Sequence, residues 1–274
     1  MEPYRIGALP EASCYTCLRV NVDLPVNGRL DHPVWKKAPR SSRFVDMVSG
    51  VPGFFDTRMA ALWNERTLYI GFWIAESDIR AQITRRDDFV YRENDVEVFI
   101  EGRDCYYEFQ INALGTVYEV FYIWQDAYTP SSRFNCPEFD LLKREVDVLG
   151  GFQDSTRFGK HPRGRRWAIM DWDFPGLKSA VTVDGTLNDP ATVDKEWRVE
   201  LAFPWKGMRV LDPERKLPPR PGDIWRMDFS RFERLEFNGV TADPHPGWSH
   251  SPHGVYDSHL PEAFSRVFFS DQLV

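Results

Sequence analysis

An all-β protein, an antiparallel β-sandwich of jelly-roll or immunoglobulin-like type carrying one long loop insertion, is the fold class the sequence predicts. Three observations predict it: apolar residues alternate at period two through most of the chain, helical periodicity is nearly absent, and turn residues recur at short intervals. The 274 residues are 42% hydrophobic and 27% charged, which supplies enough apolar surface for a large core. No internal repeat and no linker-like stretch divides the chain, so a single domain over 1–274 is expected.

The elements follow in order. "YTCLRVNV" opens as a strand, and "RMAALWN" and "TLYIGFWIAE" form a hairpin across Asn64 to Arg66. In "YRENDVEVFIEG", Tyr91 to Gly102, period two places Val96, Val98 and Ile100 on one face and Asp95, Glu97, Phe99 and Glu101 on the other. After the turn "EGRD", "CYYEFQIN" alternates again, with Cys105, Tyr107, Phe109 and Ile111 opposed to Tyr106, Glu108, Gln110 and Asn112. A turn centred on Gly102 and Arg103 predicts Glu97 opposite Glu108 and Asp95 opposite Gln110; a slip by two residues would keep both faces intact. "TVYEVFYIW" is the next strand. The polar segment from Gln125 to about Arg166, with Pro130, Pro137 and Pro162, reads as the insertion. Few apolar anchors are visible in it, so it is expected to be the least protected part in hydrogen exchange. The framework resumes with "LKSAVTVDG", "EWRVELAFPW", "IWRMDFSRFE" and "SRVFFS".

The acidic hairpin face poses the chemical question. Like charges set opposite each other are unfavourable, so Glu97 and Glu108 call for a donor between them: an arginine, a metal ion or a ligand rich in hydroxyls. Arg198 and Arg226 lie on strands that could supply the arginine. A plainly solvated sheet face is the competing reading.

A net charge of -7, with basic residues scattered apart from "GKHPRGRRW", argues against a nucleic-acid partner. No stretch approaches the roughly twenty apolar residues of a membrane span. The start "MEPYRIGALPEAS" lacks the pattern of a secretory signal, which implies the cytoplasm if that start is native and the periplasm or exterior if a leader has been trimmed. Of the four cysteines, Cys14 and Cys17 have the spacing of half a zinc site or a redox pair, but no second such pair exists, so all four read as structural or incidental. Trp35, Trp63, Trp73, Trp197 and Trp225 fall in framework runs and read as core. Trp124, Trp167 and Trp172 flank the insertion, as groove lining or as anchors.

Taken together, "LPVNGRLDHPVWKKAP", "ALWNERTLYIGFWIAESDI", "RENDVEVFIEG", "YYEFQINALGTVYEV", "WRVELAFPW", "GDIWRMDFSRFE" and "GWSHSPHGVYDSHLPEAFSRVFF" resemble, in order, the runs of the family 9 carbohydrate-binding modules, especially their stand-alone family 9-like group. The resemblance spans about Tyr15 to Phe269 apart from the insertion. It implies non-catalytic binding of an oligo- or polysaccharide. A pyranose presents a C–H face that stacks on aromatic rings and hydroxyls that donate to carboxylates and amides. In the family a sugar is clamped between two rings; the first ring matches Tyr91, the hydroxyl-binding acid Glu97, and the polar partner on the next strand Gln110, where the family module carries arginine. The second ring's position matches Ser258, so that clamp ring is absent from its expected place, and Trp248 or Tyr256 in the same segment could supply one instead. With Glu108, on the same face of the hairpin, and His259 added, the candidate ligand-binding set is Tyr91, Glu97, Glu108, Gln110, Trp248, Tyr256 and His259.

No cofactor is required by this reading. The resemblance implies structural calcium, for which "ESD" at Glu76 to Asp78 offers oxygen ligands. His245, His250, His253 and His259 could ligate zinc, though their Pro- and Gly-rich spacing reads as an extended loop. Two further functions stay open: glycoside hydrolysis by Glu97 and Glu108, although nothing marks either as the protonated acid, and a protein-interaction sandwich with no sugar ligand.

Overall fold

The structure, a computed structural model, describes residues 9–150 and 161–274. Its first half contains β1 (Cys14–Arg19), the short helix α1 (Pro33–Lys37), β2 (Val45–Asp46), β3 (Thr57–Trp63), β4 (Thr67–Ala75), β5 (Asp95–Glu101), β6 (Cys105–Asn112) and β7 (Val117–Trp124). Then come β8 (Val146–Leu149), β9 (Arg166–Ile169), β10 (Lys178–Asp184), β11 (Glu196–Pro204) and β12 (Ile224–Phe232). The two-residue strands β13 (Glu236–Phe237) and β14 (Val240–Thr241) pair with each other, and β15 (Gly247–Ser249) and β16 (Ser265–Leu273) complete the set.

Two layers face each other. One runs β10-β11-β4-β3-β1 and the other β16-β12-β5-β6-β7-β9-β8. Alternation puts Trp197, Val199, Leu201 and Phe203 of the first layer against Val98, Ile100, Tyr107 and Phe109 of the second, all of them buried in one core. The neighbouring pairs are antiparallel, as expected, except around β1, which lies parallel to both β16 and β3. Its register shifts between Cys17 and Arg19: Cys14–Cys17 pair with β16, Leu18 and Arg19 pair with β3, and Arg19 also keeps Leu273 of β16 as a partner. That irregularity lets one strand switch layers and form the sandwich corner. The two ends of the framework thus meet on neighbouring strands.

The outer face of the first layer is apolar too, and the segment between β1 and α1 covers it. Leu24, Leu30 and Trp35 pack on Ala60, Leu62, Tyr69 and Trp73. Buried Glu200 fastens this strap, accepting from Trp35 Nε1 at 2.8 Å and from the Asn27 and Gly28 amides. Gly28 has φ +75, and a Cβ there would stand 2.7 Å from the Val181 backbone, so the close crossing over β10 requires glycine.

Trp35, Trp63, Trp73, Trp197 and Trp225 are buried, as the framework pattern implied. All four cysteines are free. Cys14 is exposed and Cys17 buried, because an odd spacing along a strand sends them to opposite faces, which is incompatible with a redox pair or half of a metal site.

The insertion is mostly irregular, yet it is better anchored than its composition suggested. Phe134 and Phe139 are buried, Phe139 stacked on Phe121 at 4.9 Å, and β8 pairs with β9 to extend the second layer. Low protection across the whole of 125–166 is therefore not expected; residues 151–160 of that span lie outside the described residues. Trp172 packs on Phe121, and Trp124 is buried beside Arg166, so both serve as anchors rather than groove lining.

Candidate functional site

The outer face of the second layer carries the site. In the β5–β6 hairpin Glu97 pairs with Gln110, Phe99 with Glu108 and Asp95 with Asn112. The register is thus displaced by two residues from the pairing expected for a turn on Gly102 and Arg103. The turn has its two central residues at Arg103 and Asp104, closed where Gly102 N–H donates to the Cys105 carbonyl, and moving its centre by one residue displaces the pairing by two. Since the shift is even, every side chain keeps its predicted face.

Glu97, Glu108 and Gln110 are 2%, 3% and 1% exposed, so the face is a floor and not a wetted surface. The donor needed between the acids is neither Arg198 nor Arg226. Gln110 Nε2 donates to Glu97 Oε1 at 2.9 Å and to Glu108 Oε1 at 2.6 Å. Tyr122 donates to Glu108 Oε2 at 2.7 Å, and Ser230, on neighbouring β12, to Glu97 Oε2 at 2.9 Å. Arg198 pairs with Glu196 instead, and the nearest acid to Arg226 is Glu101.

Above this floor lies a cavity of about 750 Å³, lined by Tyr91, Glu97, Glu108, Gln110, Tyr256 and His259 of the predicted set. One wall is aromatic: Tyr91 packs edge-on to Tyr118 at 5.9 Å and beside Phe89 at 5.5 Å. The opposing loop brings Tyr256, whose ring meets Phe232 edge-on and whose hydroxyl donates to the His245 carbonyl. His259 lies edge-on over Tyr122 and shares a hydrogen bond with the Tyr106 hydroxyl at 3.1 Å. Beneath that loop His253 Nε2 faces Asp228 Oδ1 at 3.2 Å and Nδ1 faces the Asp257 carbonyl at 2.7 Å. Both partners are acceptors, so the imidazole donates from both nitrogens. Burial pulls its pKa down, but the Asp228 charge outweighs this and holds it above the ordinary value. This charged pair clamps the loop to β12.

Trp248 is the predicted residue that does not reach the cavity. It is 3% exposed, its ring packs beside Phe55, and a Cβ on Gly53 would come within 2.8 Å of it. Its other neighbour is the buried Arg231 guanidinium, 5.2 Å from the ring centroid. The strand pairing of β15 with β12 fixes it there. Of the two rings considered in place of the one missing at Ser258, only Tyr256 lines the site. Residues not singled out beforehand include Tyr118, Tyr122 and Ser230. The alternation of "TVYEVFYIW" already put both tyrosines on one face, and "IWRMDFSRF" did the same for Asp228 and Ser230.

Burial shapes the acids of the floor. It raises the Glu108 pKa to about 7, against the opposing hydrogen bonds from Tyr122 and Gln110. Burial, then the charges of Asp95 and Glu108, hold Glu97 well above the carboxylate range. A carboxyl whose pKa is higher folded than unfolded stabilises fully below the unfolded value, near 4.5 for Glu108, and that stability is lost as pH rises through about 7. Urea midpoints measured from pH 5 to pH 8 are therefore expected to fall, and Glu108→Gln to flatten the fall. An unchanged slope in the variant would show that Glu108 does not hold its proton in the fold.

The four histidines do not converge. His250 faces Ser265 Oγ, His253 Asp228, and His245 the Ala242 carbonyl. Among the described residues no group of three or more His, Cys, Asp or Glu is arranged to hold a metal ion. The "ESD" acids do not fit calcium: Glu76 accepts from Asn94, Trp197 and Arg231, and Asp78 pairs with Arg80, so cations already neutralise them.

No family model and no curated protein matches the sequence. Among solved structures, a candidate carbohydrate-binding protein from Bacteroides uniformis superposes with a TM-score of 0.59 at 13% identity, over 94% of this chain and 99% of that one. Two structures of a family 9 carbohydrate-binding module from Caldicellulosiruptor kristjanssonii, one in complex with glucose and one with cellotriose, also match. Their TM-scores are 0.45 and 0.44 at 10% identity, over 94% of this chain and 96% and 94% of theirs. The likeness to the Bacteroides protein is one of fold.

Proposed function

We propose that the protein is a non-catalytic carbohydrate-binding module of the family 9-like kind, holding an oligo- or polysaccharide in the cavity above Glu97, Glu108 and Gln110. One observation carries the reading: a buried floor of hydrogen-bond acceptors lies beneath an aromatic wall in a single cavity of about 750 Å³. Rings take the C–H face of a pyranose, and the floor takes its hydroxyls. The ordered sequence runs and the fold shared with a candidate carbohydrate-binding protein point the same way.

Hydrolysis fits the floor less well. A glycosidase holds the scissile bond between its two carboxyl groups, whereas here the Gln110 amide occupies that position and bonds to both. A glycan array followed by a hydrolysis assay on the hits separates the possibilities. Binding without release of reducing sugar is the expected result. Turnover that Glu97→Gln abolishes would make the protein a hydrolase, and no glycan hits from folded protein would leave a protein-interaction role.

A further inference from the structure

The lining of the cavity is one-sided in charge. Glu97, Glu108, Asp147, Asp243 and Asp257 line it, and no lysine or arginine does so among the described residues. The nearest guanidinium on the aromatic wall, Arg92, lies over the Phe89 ring at 4.5 Å and is not part of the lining. The hydrogen-bonding capacity of the floor is one-sided as well. Its donors are committed internally: Gln110 Nε2 to both glutamates, Tyr122 to Glu108 and Ser230 to Glu97. What remains are acceptors. Gln110 Oε1, on a side chain 1% exposed that lines the cavity, has no hydrogen-bond partner.

A sugar hydroxyl brings one donor and two acceptor lone pairs, and the floor itself offers those lone pairs no uncommitted donor, the unpartnered Ser258 hydroxyl lying on the opposing loop. An ammonium group brings three donors, no acceptor and a positive charge; it suits an amide oxygen beside two buried carboxyl groups that have no counter-cation, and its charge would draw their raised pKa values back down. Negatively charged sugars meet only like charge.

Resting on the carbohydrate reading above, we infer that the site is specific for an amino sugar: a hexosamine residue with a free, protonated amine set on Gln110 Oε1, on the side of the amide away from its bonds to Glu97 and Glu108, its C–H face on Tyr91.

Calorimetry on the full chain in about 0.15 M salt, where long-range attraction between exposed charges is screened, tests this with three tetramers: glucosamine, N-acetylglucosamine and cellotetraose. The glucosamine tetramer is expected to bind at least tenfold tighter than the other two, and Glu108→Gln, with folding checked by circular dichroism, to cut that ratio severalfold. Equal or tighter binding of cellotetraose or the acetylated tetramer would overturn the inference and leave the carbohydrate reading standing. Persistence of the full preference in Glu97→Gln/Glu108→Gln would assign it to the acidic surface and overturn it too. If none of the three binds and a broad glycan array is also blank, both readings fall.

Discussion

Arg231→Met is expected to destabilise the fold by about 3–5 kcal/mol, the cost of removing one partner from a buried ionic cluster. Arg231 is fully buried on the inward face of β12. Its guanidinium donates to Thr57 Oγ1 at 3.0 Å, to the Ala75 carbonyl at 2.9 Å, to Glu76 Oε2 at 3.1 Å and to Glu233. Glu76 and Glu233, 2% and 4% exposed, are further joined by Asn94, which donates to both. Burial, and next the Glu233 charge, already raise Glu76 to about 7 despite the opposing pull of Arg231. Without the guanidinium both acids must take up protons or stay charged and uncompensated. Urea unfolding at pH 7.5 measures the loss, and acidification to pH 5 should recover part of it by supplying those protons. Replacing both acids with glutamine in the Arg231→Met background should recover more. A loss below about 1 kcal/mol would mean that water entering through the neighbouring 570 Å³ cavity, which Glu76 and Glu233 line, screens the cluster.

That cluster shows where sequence reading stops. Arg231 continues the inward series Trp225, Met227, Phe229, so its face was legible, but its partners come from a different strand end and from the loop after its own, which no local period encodes. The acidic face of the β5–β6 hairpin was legible for the opposite reason: alternation assigns faces without knowledge of pairing, and an even slip in register leaves them unchanged. The faces of Glu97, Glu108 and Gln110 were therefore legible although their cross-strand partners were not, whereas Tyr91, which precedes β5, was reached only through the family resemblance. The segment from Asp243 to His259 has no period at all, and there Tyr256 and Trp248 were equivalent in sequence. Pairing of β15 with β12 and β2 sends Trp248 inward, whereas Tyr256 follows in a loop held by the His253–Asp228 pair. In the insertion, β8 is four residues of "VDVL", too short to show alternation against its polar surroundings.

Glu97→Ala is expected to weaken saccharide binding ten- to hundredfold, about 1.5–3 kcal/mol, the worth of hydrogen bonds to a charged or strongly polar acceptor. Glu97 is the floor residue placed between Ser230 and Gln110, and its loss also frees Ser230 Oγ and Gln110 Nε2 to move. The fold should tolerate the change, because burial and neighbouring acids already disfavour a charge at this position, and removing it relieves the repulsion from Asp95 and Glu108. Tyr91→Ala should weaken binding by a similar order through lost stacking area. Tyr91 is 41% exposed, so its truncation, unlike that of the buried Tyr118, exposes little core. Calorimetry against any glycan bound by the parent, with thermal melts of each variant, separates lost contacts from lost structure. Parent-like affinity in Glu97→Ala with an unchanged melt would mean that the buried acids only brace the sheet and that any sugar is held elsewhere.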